Sequence, residues 1–342
     1  MTDLRFAVFG GGFWAPFQIG GWQDVQGAKC VAIYNRTVSK AEKVARDFGI
    51  PAVYGDPEEL LDREKLDFLD VITDGSTHCK YVKMAAARKL PVICQKPMAN
   101  TLADAEDMVR VCREAGVPFF IHENWRWQAQ IRELKKVIDS GEIGVPFRAR
   151  IFLVSGHPVF NTEPSLMDLE EYILKDMGVH LLDVARFLFG EAERLYCQTD
   201  KIHKNIKGED VATVMMRMGG RTTVTCYMGF PGNFLENDVF NQTLILVEGE
   251  KGSAELDRHY WVRVTTESGT RSNCYTPAYR PWMLPVYVAS HSSIPRCNAN
   301  LLQALRGEGK AETTGEDNLK TMRLTFAAYE SARTGNVIRF CR

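Results

Sequence analysis

The first turn of the chain constrains its fold more than any other stretch. A short apolar segment, Leu4–Phe9, is followed by Gly10, Gly12 and Ala15 in the spacing G-x-G-x-x-A. Where such a loop joins a strand to a helix, the first glycine permits a tight turn and the second lets backbone N–H groups approach a pyrophosphate. Pro16 suits the first helical turn, where its missing N–H is not needed. The stretch therefore predicts a strand, a phosphate-binding turn and a helix.

The predicted cofactor site also includes the side chains inside this loop. Phe13 and Trp14 stand between the second glycine and the helix. We therefore assign them, with Gly10 and Gly12, to the surface that holds a dinucleotide. A glycine-rich turn that binds no ligand is the alternative. Strand, turn and helix each fall where the motif needs them, which favours the dinucleotide.

The order of the remaining elements predicts two domains of different type. At 342 residues, the chain is too long for one ordinary core. Its first third alternates strands and helices, as a doubly wound parallel sheet does. Later strands are longer, and Gly219-Gly220 between two of them predicts a hairpin. We expect an α/β chain, with a Rossmann domain over 1–122 and a substrate-binding α+β domain with an open, mostly antiparallel sheet over 123–342.

Composition argues against several classes of partner. The formal net charge of −1 gives no electrostatic case for binding nucleic acid or an anionic membrane. No apolar run is long enough to cross a bilayer, and because the first strand is predicted to begin at Leu4 we expect no signal peptide. The nine cysteines form no C-x-x-C pair, and the cysteines and histidines lack metal-ligand spacing. We expect a cytoplasmic protein with reduced cysteines and no metal.

The end of the second predicted strand bears on the choice of coenzyme. A carboxylate there binds the adenosine ribose of NAD, whereas a basic residue can meet the 2′-phosphate of NADP. This chain has Asn35 and Arg36 instead. Asn35 can hydrogen-bond a ribose, and Arg36 can stack on adenine or pair with phosphate. We favour NAD on the strength of Asn35, with NADP as the alternative, while a solvated Arg36 on a turn is an equally open interpretation.

A lysine at the end of the fifth predicted strand is a candidate acid–base residue. Lys96 follows Gln95 and precedes Pro97, at the carboxyl end of a parallel strand and so beside the expected coenzyme. A lysine there can hydrogen-bond a substrate hydroxyl and assist its proton transfer. The alternative is an ordinary surface lysine before a proline.

Two further stretches place polar groups among apolar ones. A helix predicted from Glu170 to Phe189 carries Asp176, His180 and Asp183 on one face, by their i, i+4 and i+7 spacing. A hydrogen-bonded core histidine is the alternative. The second stretch ends a strand with polar and aromatic side chains suited to a sugar, among them Asn124, Trp125 and Arg126.

Together these stretches resemble the glucose–fructose oxidoreductase / inositol dehydrogenase (Gfo/Idh/MocA) family over nearly the whole chain. The E-K-P motif of the family matches Gln95-Lys96-Pro97, with Gln in place of Glu. Its D-x-G-x-H-x-x-D helix matches Asp176 to Asp183. Its strand-end segment matches Thr73 to His78, with Asp74 where a proline is common.

The resemblance implies roles for individual residues. It makes Lys96 and His180 the acid–base pair and gives Asp176 the task of orienting the substrate. The coenzyme site then gains further members of the matching motifs: Thr73, Ser76, His78, Gln95 and Lys96. A sugar is expected to contact the residues Asn124, Trp125, Arg126, Asp176 and His180. The Gln95 departure removes one carboxylate from beside the lysine.

The resemblance also implies an activity. The later part of the chain is similar to family members that oxidise the anomeric carbon of D-apiose to a lactone, with hydride transfer to the nicotinamide. An inositol or polyol dehydrogenase and an NAD-dependent lyase that oxidises its substrate transiently are the alternatives. A coenzyme-binding sensor would need neither Lys96 nor His180. By resemblance, we also expect a homodimer or homotetramer.

Overall fold

The computed structural model describes residues 2–340. The chain divides into two compact units. The first comprises residues up to Asn124 together with Arg280–Leu284 and Ile294–Met322; the second comprises Trp125–Tyr279, Pro285–Ser293 and the chain from Arg323 onward. The expected second domain, 123–342, thus gives two later segments to the first unit. The physical reason is that side chains of these two segments pack closely against two glycines of the first helix.

The first unit is built on a six-stranded sheet in the order β3-β2-β1-β4-β5-β6. Every neighbouring pair is parallel. Its strands are β1 (Leu4–Phe9), β2 (Ala28–Tyr34), β3 (Ala52–Tyr54), β4 (Phe68–Val71), β5 (Val92–Gln95) and β6 (Phe119–His122). Its helices in this part are α1 (Ala15–Gln23), α2 (Val38–Phe48), α3 (Pro57–Arg63), α4 (Gly75–Ala87) and α5 (Leu102–Ala115). This is the strand order of a doubly wound dinucleotide-binding fold, so the predicted Rossmann architecture is confirmed.

Sequence signals account for these elements. The core strands are apolar along most of their length because helices cover both faces of such a sheet. Helix α2 ends at Gly49, whose φ of 68° is the left-handed conformation that favours glycine. Helix α5 begins at Thr101, whose side chain accepts a hydrogen bond from the backbone N–H of Asp104. Both ends are as predicted.

The second unit is built on a nine-stranded sheet in the order β14-β13-β12-β11-β7-β10-β9-β8-β15. Its strands are β7 (Pro146–Val154), β8 (Ala192–Asp200), β9 (Val211–Met218), β10 (Thr223–Gly229), β11 (Leu244–Gly249), β12 (Gly252–Asp257), β13 (Trp261–Thr266), β14 (Gly269–Cys274) and β15 (Ile338–Arg339). Among these pairs, β7–β10 is parallel and the rest are antiparallel. Burial alternates along β9 and β10, so one face of the sheet packs against the core. The mostly antiparallel sheet and the hairpin at Gly219-Gly220 are confirmed.

The remaining helices are α6 (Ala129–Ser140), α7 (Val159–Thr162), α8 (Val179–Phe189), α9 (Val288–His291), α10 (Ile294–Leu305) and α11 (Gly315–Thr334). A short 3₁₀ segment spans Trp125–Trp127, and a π-helical segment, Leu174–Gly178, runs directly into α8. The continuous helix predicted from Glu170 to Phe189 is therefore wrong in its first part. No helix of residues 2–340 has the length and apolar character needed to cross a membrane.

Two glycines of α1 bring later parts of the chain into the first unit. A Cβ on Gly20 would lie 2.5 Å from the ring of Trp282, and one on Gly21 would lie 2.3 Å from Ile294 at the start of α10. The absence of these two side chains allows the close approach. Segment 280–284 and α10 consequently pack as part of the dinucleotide-binding unit.

Candidate active site

The turn between β1 and α1 has the geometry that a dinucleotide loop requires. Gly10 has a φ of +117°, and a Cβ there would lie 2.6 Å from the carbonyl oxygen of Ile72, so only glycine fits. At Gly12, by contrast, no atom lies within 4 Å of the position a Cβ would take. The space beside Gly12 is a cradle that a side chain would fill. Helix α1 begins just beyond it, with Pro16 in its first turn.

Asn35 helps to shape this turn. Its Oδ1 accepts a hydrogen bond from the backbone N–H of Gly11 (3.0 Å), and its Nδ2 donates one to the carbonyl of Thr37 (2.8 Å). The amide thus ties the glycine loop to the end of β2. The sequence predicted only a contact between Asn35 and the ribose of the coenzyme, and not this role in the loop.

A cleft of about 320 Å³ opens in front of the loop. It brings together six of the predicted coenzyme residues: Gly10, Gly12, Asn35, Arg36, Thr73 and Ser76. Two tyrosines that sequence reasoning missed also line it, and the hydroxyls of Tyr34 and Tyr81 lie 3.1 Å apart. The size and the donor groups fit part of a dinucleotide at the carboxyl edge of a parallel sheet.

The rim of this cleft carries one carboxylate. Asp74 caps α4 by accepting the backbone N–H of Ser76 at 2.9 Å. Its pKa is lowered, chiefly by the hydrogen bond from the Ser76 side chain. Asp74 is therefore an anion at neutral pH and holds the start of α4 in place.

Five predicted coenzyme residues lie outside the lining of the cleft: Phe13, Trp14, His78, Gln95 and Lys96. Phe13 is 41% exposed, and its ring meets that of Phe17 edge-on, with centroids 5.4 Å apart. Trp14 also packs edge-on against Phe17. Their contact with coenzyme stays a prediction.

His78 connects two loops at the edge of the sheet. Its Nε2 lies 2.9 Å from the carbonyl oxygen of Thr73, and its Nδ1 lies 3.1 Å and 3.2 Å from those of Pro97 and Met98. The side chain is only 1% exposed, and burial lowers its pKa. Both ring nitrogens face protein carbonyls, so the structure gives His78 a structural role between the loops that follow β4 and β5.

Lys96 stands where the sequence placed it, immediately after β5. It is half-buried, and its peptide bond to Pro97 is cis. Its backbone N–H donates a hydrogen bond to Oε1 of Gln95, at 3.2 Å. Asn124, after β6, is buried. These two residues lie at the carboxyl ends of neighbouring parallel strands, the edge where such sheets bind ligands.

In the second unit, His180 is held by an aromatic neighbour. Its ring stacks on that of Trp125, with centroids 4.2 Å apart and planes at 22°. The indole N–H of Trp125 in turn donates to Oγ1 of Thr243 at 2.7 Å. The imidazole orientation is thus fixed by packing. Because Trp125 is 3% exposed, the sugar-packing role expected for it stays a prediction, and its visible role is to support His180.

Arg126 has a partner that sequence reasoning missed. Its Nε donates to Oδ2 of Asp183 at 2.7 Å and its Nη2 to Oδ1 at 2.5 Å. Both side chains are buried, and Arg186 lies 3.8 Å from the same carboxylate. The forked geometry is that of a strong, specific ion pair. A contact between Arg126 and sugar hydroxyls stays a prediction, because its guanidinium already holds Asp183.

Asp176 lies in the π-helical segment that runs directly into α8, the helix that carries His180. Wider turns of this kind occur frequently at functional sites. Asp183, like His180, lies in α8 itself. The shared face expected for these three side chains stays a prediction. Nearby, fully buried Tyr172 has a hydroxyl for which residues 2–340 offer no hydrogen-bond partner. Burial, with a smaller effect of the Asp176 charge, raises its pKa.

Within 2–340 there is no group of three His, Cys, Asp or Glu side chains arranged to hold a metal ion.

Comparison with known proteins decides the family. Residues 4–123 match an oxidoreductase family with an NAD-binding Rossmann fold, Gfo/Idh/MocA, and residues 131–255 match the C-terminal domain of that family. The chain belongs to the Gfo/Idh/MocA oxidoreductases. NAD is thus the coenzyme of its Rossmann domain, consistent with the cleft in front of Gly12.

Individual Gfo/Idh/MocA relatives are similar over almost their full length. The chain is 38% identical to a D-apiose dehydrogenase of Rhizobium rhizogenes, covering 99% of this chain and 98% of the relative. It is 36% identical to a D-apiose dehydrogenase of Paraburkholderia graminis, with 98% and 90% covered. A crystal structure of an oxidoreductase from Agrobacterium radiobacter in complex with NAD⁺, L-tartaric acid and magnesium is 37% identical, covers 99% and 98% of the two chains, and superposes with a TM-score of 0.96.

Proposed function

We propose that this oxidoreductase is an NAD-dependent sugar dehydrogenase that oxidises the anomeric carbon of an aldose to its lactone, with D-apiose as the first candidate. The observation that carries the proposal is the 38% identity, over 99% of the chain, to a D-apiose dehydrogenase. The chain also keeps a lysine at the end of β5 and a rigidly held histidine. Those are the acid–base groups that such a reaction needs.

The chemistry supplied by bound NAD is acceptance of a hydride from the carbon being oxidised. The protein must remove the hydroxyl proton from that carbon's oxygen. His180 suits this task because its stack on Trp125 holds the ring in one orientation, so less ordering is needed for proton transfer. Lys96 is the second acid–base candidate and can donate a hydrogen bond to the same class of hydroxyl.

Anomeric oxidation fits this donor set because the ring oxygen of a cyclic sugar assists hydride departure from its own carbon. The chain then needs only groups that orient hydroxyls and accept one proton. Tyr172 offers a buried hydroxyl for the first purpose, next to Asp176, whose charge contributes to its raised pKa. A site that hydrogen-bonds a hydroxyl discriminates strongly against a substrate lacking it.

Initial-rate kinetics test the proposal. The purified protein is assayed with NAD⁺ and D-apiose, ribose, xylose, glucose or myo-inositol, and NADH formation is followed by fluorescence. We expect the highest kcat/KM with D-apiose and lower values with the other aldoses. A higher kcat/KM with myo-inositol, or with any alcohol that has no anomeric centre, refutes lactone formation. The matched control assays the Lys96→Met variant with the same sugars, and its kcat should be lower by about two to four orders of magnitude.

We also propose a cytoplasmic location and a homo-oligomer, a dimer or tetramer. The eight cysteines in the described part of the chain form no disulfide with one another, which suits a reducing compartment. The oligomer rests on the family resemblance alone, and light scattering of the purified protein measures it directly.

A further inference from the structure

A buried carboxylate lies in the middle of the parallel sheet of the first unit. Asp70, in β4, is fully buried. Its two carboxylate oxygens accept hydrogen bonds from Nε2 of Gln18, at 2.9 Å and 3.0 Å, and Oδ2 also accepts one from Nε1 of Trp22 at 2.7 Å. An unpaired buried charge is costly, so these donors hold the site together.

From Asp70 the hydrogen bonds continue to the edge of the sheet. The carbonyl Oε1 of Gln18 accepts a hydrogen bond from Nε2 of Gln95, at the end of β5. The same Nε2 lies 3.1 Å from Nδ1 of His122, and Nε2 of His122 lies 2.9 Å from Oδ1 of Asn298. Oε1 of Gln95 accepts the backbone N–H of Lys96. We refer to the buried side chains of Asp70, Gln18, Gln95, His122 and Asn298 as the relay.

The charge at Asp70 fixes the direction of every bond in the relay. A carboxylate only accepts, so Gln18 must turn its NH₂ toward Asp70 and its carbonyl toward Gln95. Gln95 must then donate from its NH₂, which leaves its carbonyl for the N–H of Lys96. The same NH₂ faces Nδ1 of His122, so that nitrogen accepts and Nε2 carries the proton.

This arrangement explains why position 95 holds an amide. A glutamate there has no proton to give to Gln18 or His122, and its charge would be separated from Asp70 only by Gln18. The relay thus accommodates a single carboxylate. It stands at Asp70 in this chain, whereas the E-K-P pattern has it beside the lysine.

We propose that Asp70 is a positioning residue for Lys96, acting through the amide orientations of Gln18 and Gln95, and that Asp70 and Gln95 are a matched pair. The effect on reaction rate rests on the proposed function of Lys96. The effect on hydrogen-bond direction does not, because it concerns the relay alone. Burial raises the pKa of Asp70 to about 7 although the hydrogen bonds from Gln18 and Trp22 lower it, so kcat is compared at about pH 8, where the carboxylate form of Asp70 predominates.

Moving the carboxylate along the relay tests the proposal. In the double variant Asp70→Asn/Gln95→Glu, the asparagine amide at position 70 can donate to Gln18, whose NH₂ then turns toward the carboxylate at position 95. That carboxylate in turn accepts from Nδ1–H of His122 and from the N–H of Lys96. Every bond of the relay is restored in the reverse direction. We expect each single variant to lose about 10- to 100-fold in kcat and the double variant to return to within about 3-fold of the parent.

A control separates positioning from general damage to the core. Trp22→Phe removes a hydrogen bond from the same carboxylate but leaves the path from Asp70 to Gln95 intact. It should lower the melting temperature while kcat changes less than about 3-fold. The Kd for NADH should change less than about 3-fold in Asp70→Asn and in Trp22→Phe, whose positions lie outside the predicted coenzyme site. A double variant whose loss equals the product of the two single losses overturns the proposal.

A second measurement does not need catalytic activity. The protein has seven histidines, so ¹⁵N-histidine labelling with a His122→Gln variant for assignment gives the tautomer of His122. We expect the Nε2–H form in the parent and the Nδ1–H form in the double variant. An unchanged tautomer overturns the relay. If no sugar of the panel is oxidised but the tautomer reverses, the proposed function fails and the relay stands.

Discussion

Replacing Asp70 by Asn changes how the stability of the protein depends on pH. In the folded protein, burial raises the pKa of Asp70 from its usual 3.8 to about 7, although hydrogen bonds from Gln18 and Trp22 oppose that rise. The thiols of Cys30 and Cys94 also feel the charge of Asp70, and their pKa values are raised, first by burial and then by that charge. Both thiols are neutral throughout the acid range, so Asp70 dominates the local titration.

The sign and size of the effect follow from this pKa. The folded state binds the proton of Asp70 more tightly than the unfolded state does, so the contribution of Asp70 to stability is greatest below pH 3.8 and is lost as pH rises through about 7. At about 1.4 kcal/mol per pH unit, the span from 3.8 to about 7 corresponds to a loss of about 4 kcal/mol. An asparagine at position 70 does not titrate, so the variant lacks this loss.

Urea unfolding of the parent and of Asp70→Asn, followed by tryptophan fluorescence between about pH 4.5 and 8, measures the effect. The difference between the two proteins at each pH removes the contributions of all other titrating groups. We expect the parent to lose about 3 to 4 kcal/mol relative to the variant across this range. A difference that stays constant over the whole pH range refutes the raised pKa.

Three further predictions concern the candidate site. Lys96→Met should lower kcat by about two to four orders of magnitude and leave the Kd for NADH nearly unchanged, and a near-normal kcat excludes Lys96 as an acid–base residue. Arg36→Ala should weaken NADH and NADPH binding to a similar extent; a much greater loss for NADPH in fluorescence titrations would show that Arg36 recognises a 2′-phosphate. Arg126→Ala should destabilise the second unit by roughly 3–5 kcal/mol in chemical unfolding, because the buried carboxylate of Asp183 loses the forked hydrogen bonds from Arg126. Arg126→Met/Asp183→Leu should lose less, and equal losses contradict the ion-pair explanation.

The fold of the first unit could be predicted because its signals are local. Leu4–Phe9 is largely apolar, the glycine loop follows it, and Gly49 and Thr101 mark helix ends within their own segments. The segments that complete the unit could not be predicted in the same way. Gly20 and Gly21 leave room for the side chains of Trp282 and Ile294. Because those residues are distant in the sequence, no local pattern predicts the contacts.

The same distinction between local signals and long-range contacts applies to the candidate site. Residues on the glycine loop and after β4 meet in one cleft because parallel strands end at one edge of the sheet. The partners of Arg126, His180 and Gln95 were missed, since each is a long-range contact that no local spacing encodes.

The most direct test of the proposed activity identifies the product. D-apiose labelled with ¹³C at its anomeric carbon is incubated with the protein and NAD⁺, and the labelled carbon is followed by NMR while NADH is measured in the same sample. We predict a lactone, or the acid formed when it hydrolyses, at one equivalent for each NADH released. An eliminated product without release of NADH, or oxidation at any other carbon, contradicts the proposed function.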